Sequence, residues 1–230
     1  MRCLQPRLRI RVLKCIWFAL IVNPVVNIVL GLNVRRPELL PKRGPAILVA
    51  NHNSHLDTAV LMSLFPLRML KHLRPVAGAD YFLCNRWLAW FALNIMGIIP
   101  IRREAFGAHE HPLAPCVAAL ERNDILILFP EGSRGEPEKL SAFKTGVAHL
   151  AKCRPDVPVI PILLHGLGKA LPKGEGLLVP CFCDVLVGAS MSWTGDKQRF
   201  MVDLESRFQE LLAELHAIQH GTIDEDTDQP

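Results

Sequence analysis

The 230-residue sequence lacks several features that define whole classes of protein. It has no uninterrupted apolar run of 18 residues, which argues against a polytopic membrane protein. Its seven cysteines are odd in number and include no C-x-x-C pair, so a disulfide scaffold is not expected. We expect buried thiols in a reducing compartment instead. No internal repeat is visible, and a length of 230 residues suits one sizeable domain or at most two small ones.

Acidic residues are missing from the first 14 positions, which hold the cations Arg2, Arg7, Arg9, Arg11 and Lys14. The rest of the chain has 21 basic and 22 acidic residues, so the basic excess belongs to an N-terminal arm. This distribution does not fit a nucleic-acid-binding face, and we expect no nucleic-acid partner. At the other end, residues 221–230 are rich in Asp and Glu and are predicted to form an acidic flexible tail.

The arm leads into an uncharged, apolar segment over residues 15–32. Pro24 is expected to kink a helix near the middle of this segment, and no small-residue cleavage site follows Val22. The pattern favours an interfacial or re-entrant helical hairpin, because the basic arm would meet anionic headgroups. A single tilted span and a buried core helix remain open. A span would keep the arm on the cytoplasmic side, so we expect a membrane protein of the cytoplasmic face.

From residue 46 onward, apolar strand-like runs alternate with helical patterns, which predicts an α/β fold with a mostly parallel central sheet covered by helices. The predicted strands are 46–50, 75–78, 98–101, 124–129, 157–164 and 178–187. The predicted helices are 54–65, 84–95, 112–122, 142–153 and 196–217. The expected organisation is therefore an arm and membrane-associated helical segment over 1–36, an α/β domain over 37–220 and the tail over 221–230.

Ligands of such sheets bind beyond the carboxyl ends of the strands, and His52 and Asp57 follow the strand 46–50. Ser54 and Asp57 have the spacing of a capping-box variant, so His52 should lie in a turn that brings its ring to the carboxylate. A carboxylate on one ring nitrogen leaves the other as a general base. Two alternatives stay open: Asp57 as a mere cap with His52 as a turn residue, and a zinc site that includes His55.

A second polar cluster follows the buried strand 124–129, where Glu131, Gly132, Ser133 and Arg134 form a predicted loop. Arg134 offers a fork suited to phosphate, and Lys144 is expected to reach the same region. Arg102 and Arg103 follow another strand. Together these cations predict a phosphate pocket. A separate apolar group could form a hydrophobic wall or a membrane contact, although ordinary core is the preferred interpretation: Trp87, Trp90, Phe91, Leu93 and Ile95.

Four sequence blocks, spread over about residues 45–165, resemble the glycerolipid acyltransferases typified by 1-acylglycerol-3-phosphate acyltransferase. The first is the HX4D motif, Asn51-His52 with Asp57, and the third is Phe129-Pro-Glu-Gly-Ser-Arg134. The fourth is the apolar strand Val157-Pro-Val-Ile-Pro-Ile162. The second runs from Gly97 to Arg103, where the family usually has an aromatic residue and an acid in place of Pro100 and Arg102.

The resemblance implies transfer of a fatty acyl group from acyl-CoA or acyl-carrier protein, without a further cofactor, to a lysophospholipid hydroxyl. The expected acceptor is 1-acylglycerol-3-phosphate, giving phosphatidate. It also implies that His52 is the base, that Asp57 orients it, and that the acceptor phosphate is held by Arg103, Glu131, Gly132 and Arg134. No G-x-S-x-G nucleophile motif is present, consistent with direct attack on an activated thioester.

Three alternatives remain at this point. The acceptor could be lyso-ornithine lipid or another lysophospholipid, in view of Pro100 and Arg102. The chain could be a catalytically silent lipid-binding relative, although intact His52 and Asp57 argue against it. A metal-dependent hydrolase is the third possibility.

Overall fold

The computed structural model describes residues 6–82, 85–101, 112–133, 139–170 and 182–221. In these ranges a seven-stranded sheet forms the centre of the molecule, in the order β1-β7-β6-β2-β5-β3-β4. All neighbours are parallel except β6 and β7. The strands are β1 Leu32–Arg35, β2 Ala46–Ala50, β3 Leu73–Gly78, β4 Ile99–Ile101, β5 Ile125–Leu128, β6 Val159–His165 and β7 Cys183–Val187. The predicted α/β fold with a mostly parallel sheet is confirmed.

The central strands are apolar on both faces because helices cover both sides of the sheet. In β2, Ile47 and Val49 belong to one core cluster, whereas Leu48 and Ala50 belong to the cluster on the other face. All five β2 residues are completely buried. Continuous apolar strands of this kind are the expected form for a sheet covered on both faces.

The helices divide between the two faces. Helices α5 Ala114–Glu121, α6 Gly146–Cys153 and α8 Lys197–Gln219 contribute to one core cluster. Helix α2 Asp57–Ser63 and the N-terminal helix contribute to the other. The remaining α-helices are α1 Pro6–Trp17, α3 Ala79–Phe82, α4 Arg86–Phe91 and α7 Leu167–Ala170. Helix α4 continues as a π-helical stretch, Ala92–Met96, and Pro37–Leu39 and Leu67–His72 are 3₁₀-helical.

The N-terminal helix continues through Pro24, so the expected hairpin is wrong. Helix α1 runs on through two π-helical stretches, Phe18–Val22 and Val25–Val29, and Pro24 keeps right-handed helical angles. The Asn23 and Leu30 N–H groups bond five residues back, to the carbonyl groups of Phe18 and Val25. This wider register accommodates a proline ring that a regular α-helix would exclude.

One stripe of this helix packs into the domain. Phe18, Val22, Val26 and Leu30 recur every four residues and are buried in the core cluster, whereas Leu20 and Ile28 are exposed. By length and composition the stretch Leu8–Val29 is long and apolar enough to cross a membrane, and an 18-residue window within it has a mean hydropathy of 2.0. The helix is thus neither a detached anchor nor a fully buried core helix.

Two further elements differ from the sequence analysis. Strand β1 lies before the first predicted strand and pairs in parallel with β7. Its sequence, Leu-Asn-Val-Arg, lacks the apolar run that predicts the other strands, because an edge strand is only partly buried. In the segment 85–96, Ile95 is buried, but Trp87, Trp90 and Leu93 are exposed. Ordinary core is therefore the wrong interpretation for these three side chains.

Candidate active site

The candidate site lies where the central parallel strands β2, β5 and β6 end. The chain leaving β2 carries His52, and the chain leaving the adjacent β5 carries Glu131. Asn51 ties this point to β6, because its side-chain amide donates to the Leu164 carbonyl at 2.8 Å and accepts the Leu164 N–H at 2.7 Å. The Asn51 side chain thus makes the two hydrogen bonds to Leu164 that the backbone of a continuing strand would make. The backbone itself can therefore turn away from the sheet before His52.

His52 and Asp57 form a close pair. The His52 Nδ1 atom lies 2.8 Å from Asp57 Oδ2, and the Asp57 side chain is 0% exposed. The same oxygen accepts the backbone N–H groups of Asn53 at 2.7 Å and Ser54 at 2.8 Å. Because a carboxylate oxygen accepts, Nδ1 carries the hydrogen and the lone pair lies on Nε2. Three donors on one oxygen hold the ring in this tautomer and orientation.

The local fold that forms this pair differs slightly from the expected capping box. Helix α2 begins at Asp57 rather than at residue 54. Ser54 donates its N–H to the Asp57 carboxylate, but its hydroxyl accepts from the N–H of Leu56 at 3.3 Å. Asp57 is therefore the first residue of the helix, where a negative charge is favoured by the N–H groups of the first turn.

Phe129 and Glu131 support His52 from the β5 side. The rings of His52 and Phe129 are stacked, with centroids 4.2 Å apart and an interplanar angle of 21°. Glu131 Oε1 accepts the His52 backbone N–H at 3.1 Å, and the Glu131 residue is 4% exposed. Burial raises the pKa of this carboxyl group. The stacking role of Phe129 is not evident from the sequence, where its place beside the Glu-Gly-Ser loop is the only available signal.

The loop after β5 also brings Lys144 into the site. The Lys144 backbone N–H donates to the Pro130 carbonyl at 2.8 Å, and its side chain passes over Gly132. Gly132 has a φ of +72°, and a Cβ atom there would lie 2.5 Å from Lys144 Nζ. The backbone angle favours glycine at this position, whereas the close approach could be relieved by movement of the flexible Lys144 side chain. Arg103 and Arg134, which were predicted to bind phosphate, lie outside the described residues.

A cavity of about 1020 Å³ opens beside the His–Asp pair. Its polar part includes His52, Ser133 and Lys144, as well as His55 and Asp80. Its apolar wall comes from the N-terminal helix and α4, through Trp17, Ile21, Val25, Leu88 and Phe91. The volume is at the upper end of the roughly 300–1,000 Å³ that is usual for small-molecule sites. The site can therefore accommodate a large apolar molecule with a polar end.

The zinc alternative proposed from His52, His55 and Asp57 finds no support in the geometry. Within the described ranges, no group of three or more His, Cys, Asp or Glu side chains is arranged to hold a metal ion.

Comparison with known proteins gives results at three levels. A family model described as acyltransferase matches residues 31–165. The chloroplastic 1-acyl-sn-glycerol-3-phosphate acyltransferase of Arabidopsis thaliana is 31% identical over 165 residues, 71% of this chain and 43% of the relative. The alpha enzyme of Mus musculus is 30% identical over 164 residues, 70% of this chain and 55% of the relative. The chain thus spans about half the length of these curated relatives.

Among solved structures, the 1-acyl-sn-glycerophosphate acyltransferase PlsC of Thermotoga maritima is similar in fold. Its TM-score is 0.72 at 20% identity, and the match covers 94% of this chain and 84% of that one.

Proposed function

Because this chain belongs to the acyltransferase family, we propose that it transfers a fatty acyl group from a thioester donor to the free hydroxyl of a lysophospholipid. The acceptor that we propose is 1-acylglycerol-3-phosphate, which the names of the related enzymes specify, and the product is phosphatidate. The observation that carries the proposal is the His52–Asp57 pair at the polar end of an otherwise apolar cavity.

In the proposed reaction, the acceptor hydroxyl gives its proton to His52 Nε2 while its oxygen attacks the thioester carbonyl. The C–S bond then breaks, and the leaving thiolate takes the proton back from Nε2. Asp57 stabilises the imidazolium that exists between these two steps. General base catalysis of this kind contributes roughly 10²- to 10⁴-fold to the rate. The thioester is already activated, so the mechanism needs no acyl-enzyme intermediate.

The phosphate of the acceptor would be held on the β5 side of the cavity. Gly132, Ser133 and Lys144 line the cavity there, and Arg103 and Arg134 are proposed to complete the group. Glu131 would act indirectly, because its Oε1 accepts the His52 backbone N–H and it is not among the residues that line the cavity.

The N-terminal helix would hold the protein at the cytoplasmic face of a membrane. Its outer face exposes Leu20 and Ile28, while its inner face lines the cavity through Ile21 and Val25. Substrates that carry acyl chains could then enter from the bilayer without crossing water, because the same helix contacts both the bilayer and the cavity.

A second acceptor class has one specific observation in its favour. The Asp80 carboxylate lines the same cavity and offers a partner to an ammonium group. A lyso-ornithine lipid, which carries such a group and no phosphate, therefore belongs in the acceptor panel.

The test is an acyl-transfer assay of the full chain with lysophosphatidate, lyso-ornithine lipid and other lysophospholipids, each with acyl-CoA and with acyl-carrier protein. His52→Ala should reduce kcat by about 10²- to 10⁴-fold. His149→Ala is the matched control, since His149 is exposed on α6 and should behave as wild type. If His52→Ala transfers acyl groups as fast as wild type, His52 is not the base. If wild type transfers to none of the acceptors, the silent lipid-binding alternative is favoured.

A further inference from the structure

We propose that α4 and the N-terminal helix form one bilayer-docking face, in which Trp87 and Trp90 are inserted at the lipid–water interface. The docking face comprises the exposed apolar side chains Leu13, Ile16 and Leu20 of the N-terminal helix and Trp87, Trp90 and Leu93 of the α4 segment. The inference rests on the proposed action on membrane lipids and assigns a second membrane contact to the same protein.

The exposure of these side chains is the first observation. Trp87 is 73% exposed, Trp90 is 46% exposed and Leu20 is 71% exposed. Trp87, Trp90 and Leu93 recur at intervals of three, so they lie on one side of the α4 segment. A cluster of large apolar side chains on the surface marks a contact with a partner or a membrane rather than ordinary surface.

The two helices are in direct contact, which makes the exposed side chains neighbours. Trp17 and Phe91 meet edge to face, with ring centroids 5.2 Å apart. Leu13 and Leu20 are four and three residues from Trp17, and Trp87 is four residues from Phe91. Side chains at these spacings share a side of their helix, so the exposed groups flank the contact.

Charge favours a lipid surface over a protein partner. Residues 1–37 and 81–103 contain no Asp or Glu, whereas Arg9 and Arg11 are exposed near the start of the N-terminal helix. The Arg86 guanidinium lies 5.4 Å from the centroid of the Trp87 ring. Cations that flank an apolar surface complement the anionic headgroups of a cytoplasmic leaflet, and tryptophan is enriched at that depth.

The cavity adds a reason for this location. Trp17 and Ile21 from the N-terminal helix, and Leu88 and Phe91 from α4, line the cavity that holds His52. The same two helices carry the docking face, next to these cavity-lining residues. A bilayer against this face would therefore lie beside the cavity, where a lipid chain could pass between membrane and site.

The test measures binding of the full-length protein to phosphatidylcholine vesicles with and without phosphatidylglycerol. W87Q/W90Q should partition at least about tenfold more weakly than wild type, because the apolar surfaces of two indole rings are no longer transferred from water to the lipid interface. Val202→Gln is the matched control: Val202 is 59% exposed, but it lies on α8, which packs on the opposite face of the sheet. Its partitioning should be unchanged.

Tryptophan emission tests the location directly. Binding should shift the emission of wild type to shorter wavelength, whereas W87F/W90F should bind nearly as well with a much smaller shift. Equal partitioning of W87Q/W90Q and wild type, or binding without a shift, would overturn the proposal. So would failure of wild type to bind vesicles, or a dimer that W87Q/W90Q abolishes.

Turnover separates this inference from the proposed function. Trp87 and Trp90 do not line the cavity, so W87Q/W90Q should retain wild-type kcat on short-chain, monomeric substrates. If wild type binds through this face but transfers no acyl group, the proposed function fails and the docking face stands.

Discussion

Replacing Asp57 by Asn tests the orientation of the base with almost no change in side-chain shape. In the structure one Asp57 oxygen accepts three N–H groups, and the other, Oδ1, is buried without a hydrogen-bond partner among the described residues. An asparagine can turn its carbonyl oxygen to the three donors. Its NH₂ group must then occupy the buried position of Oδ1.

The expected loss of stability follows from these contacts. An unsatisfied buried NH₂ group costs about 1–3 kcal/mol. Three hydrogen bonds to a charged acceptor become bonds to a neutral one, each weaker by up to about 1 kcal/mol. Asp57→Asn should therefore lower the free energy of unfolding by about 1–6 kcal/mol, measured by urea denaturation. The same change removes the negative charge that stabilises the His52 imidazolium, so kcat should fall by about 10²- to 10⁴-fold.

A double mutant isolates the catalytic part of this effect. Because Asp57 is proposed to act through His52, the variant H52A/D57N should be no slower than His52→Ala alone. Turnover is measured at a temperature where each variant is folded, as checked by circular dichroism. If Asp57→Asn keeps kcat within tenfold of wild type, Asp57 only supports the turn and the reasoning on the pair is refuted.

Two further predictions concern stability. Burial raises the pKa of Glu131 above 4.5, so the native state holds this proton more tightly than the unfolded chain. As pH rises from 4.5 through the raised pKa, wild type should lose stability relative to Glu131→Gln; a pH-independent difference in urea denaturation would contradict this. Phe18→Ala should cost about 3–5 kcal/mol, because Phe18 is 0% exposed, whereas Leu20→Ala should stay within about 0.5 kcal/mol. Equal small losses would show that the N-terminal helix does not pack on the domain.

The buried stripe of the N-terminal helix also changes how membrane attachment should be tested. Deletion of the helix would expose Leu30 and the core residues that contact Phe18, so loss of vesicle binding could follow from unfolding alone. Substitution of the outward-facing side chains leaves that packing intact. For this reason the vesicle experiment uses exposed positions only.

The sequence by itself determined the central sheet and the His–Asp pair, because both depend on local patterns. Strands such as β2 and β5 are continuous apolar runs, and the structure confirms them. Six residues that pass through a turn were enough to bring His52 and Asp57 together, as predicted. No distant part of the chain is needed for either inference.

Tertiary structure decided what depends on residues far apart in sequence. The stacking of Phe129 on His52, and the bond from the His52 N–H to Glu131, exist because β2 and β5 are neighbours in the sheet. The exposure of Trp87 could not be read from an apolar run, since composition does not say which side of a helix meets the core. The same holds for the segment 15–32: its sequence is uncharged and mostly apolar, and only packing shows which face of the helix is buried.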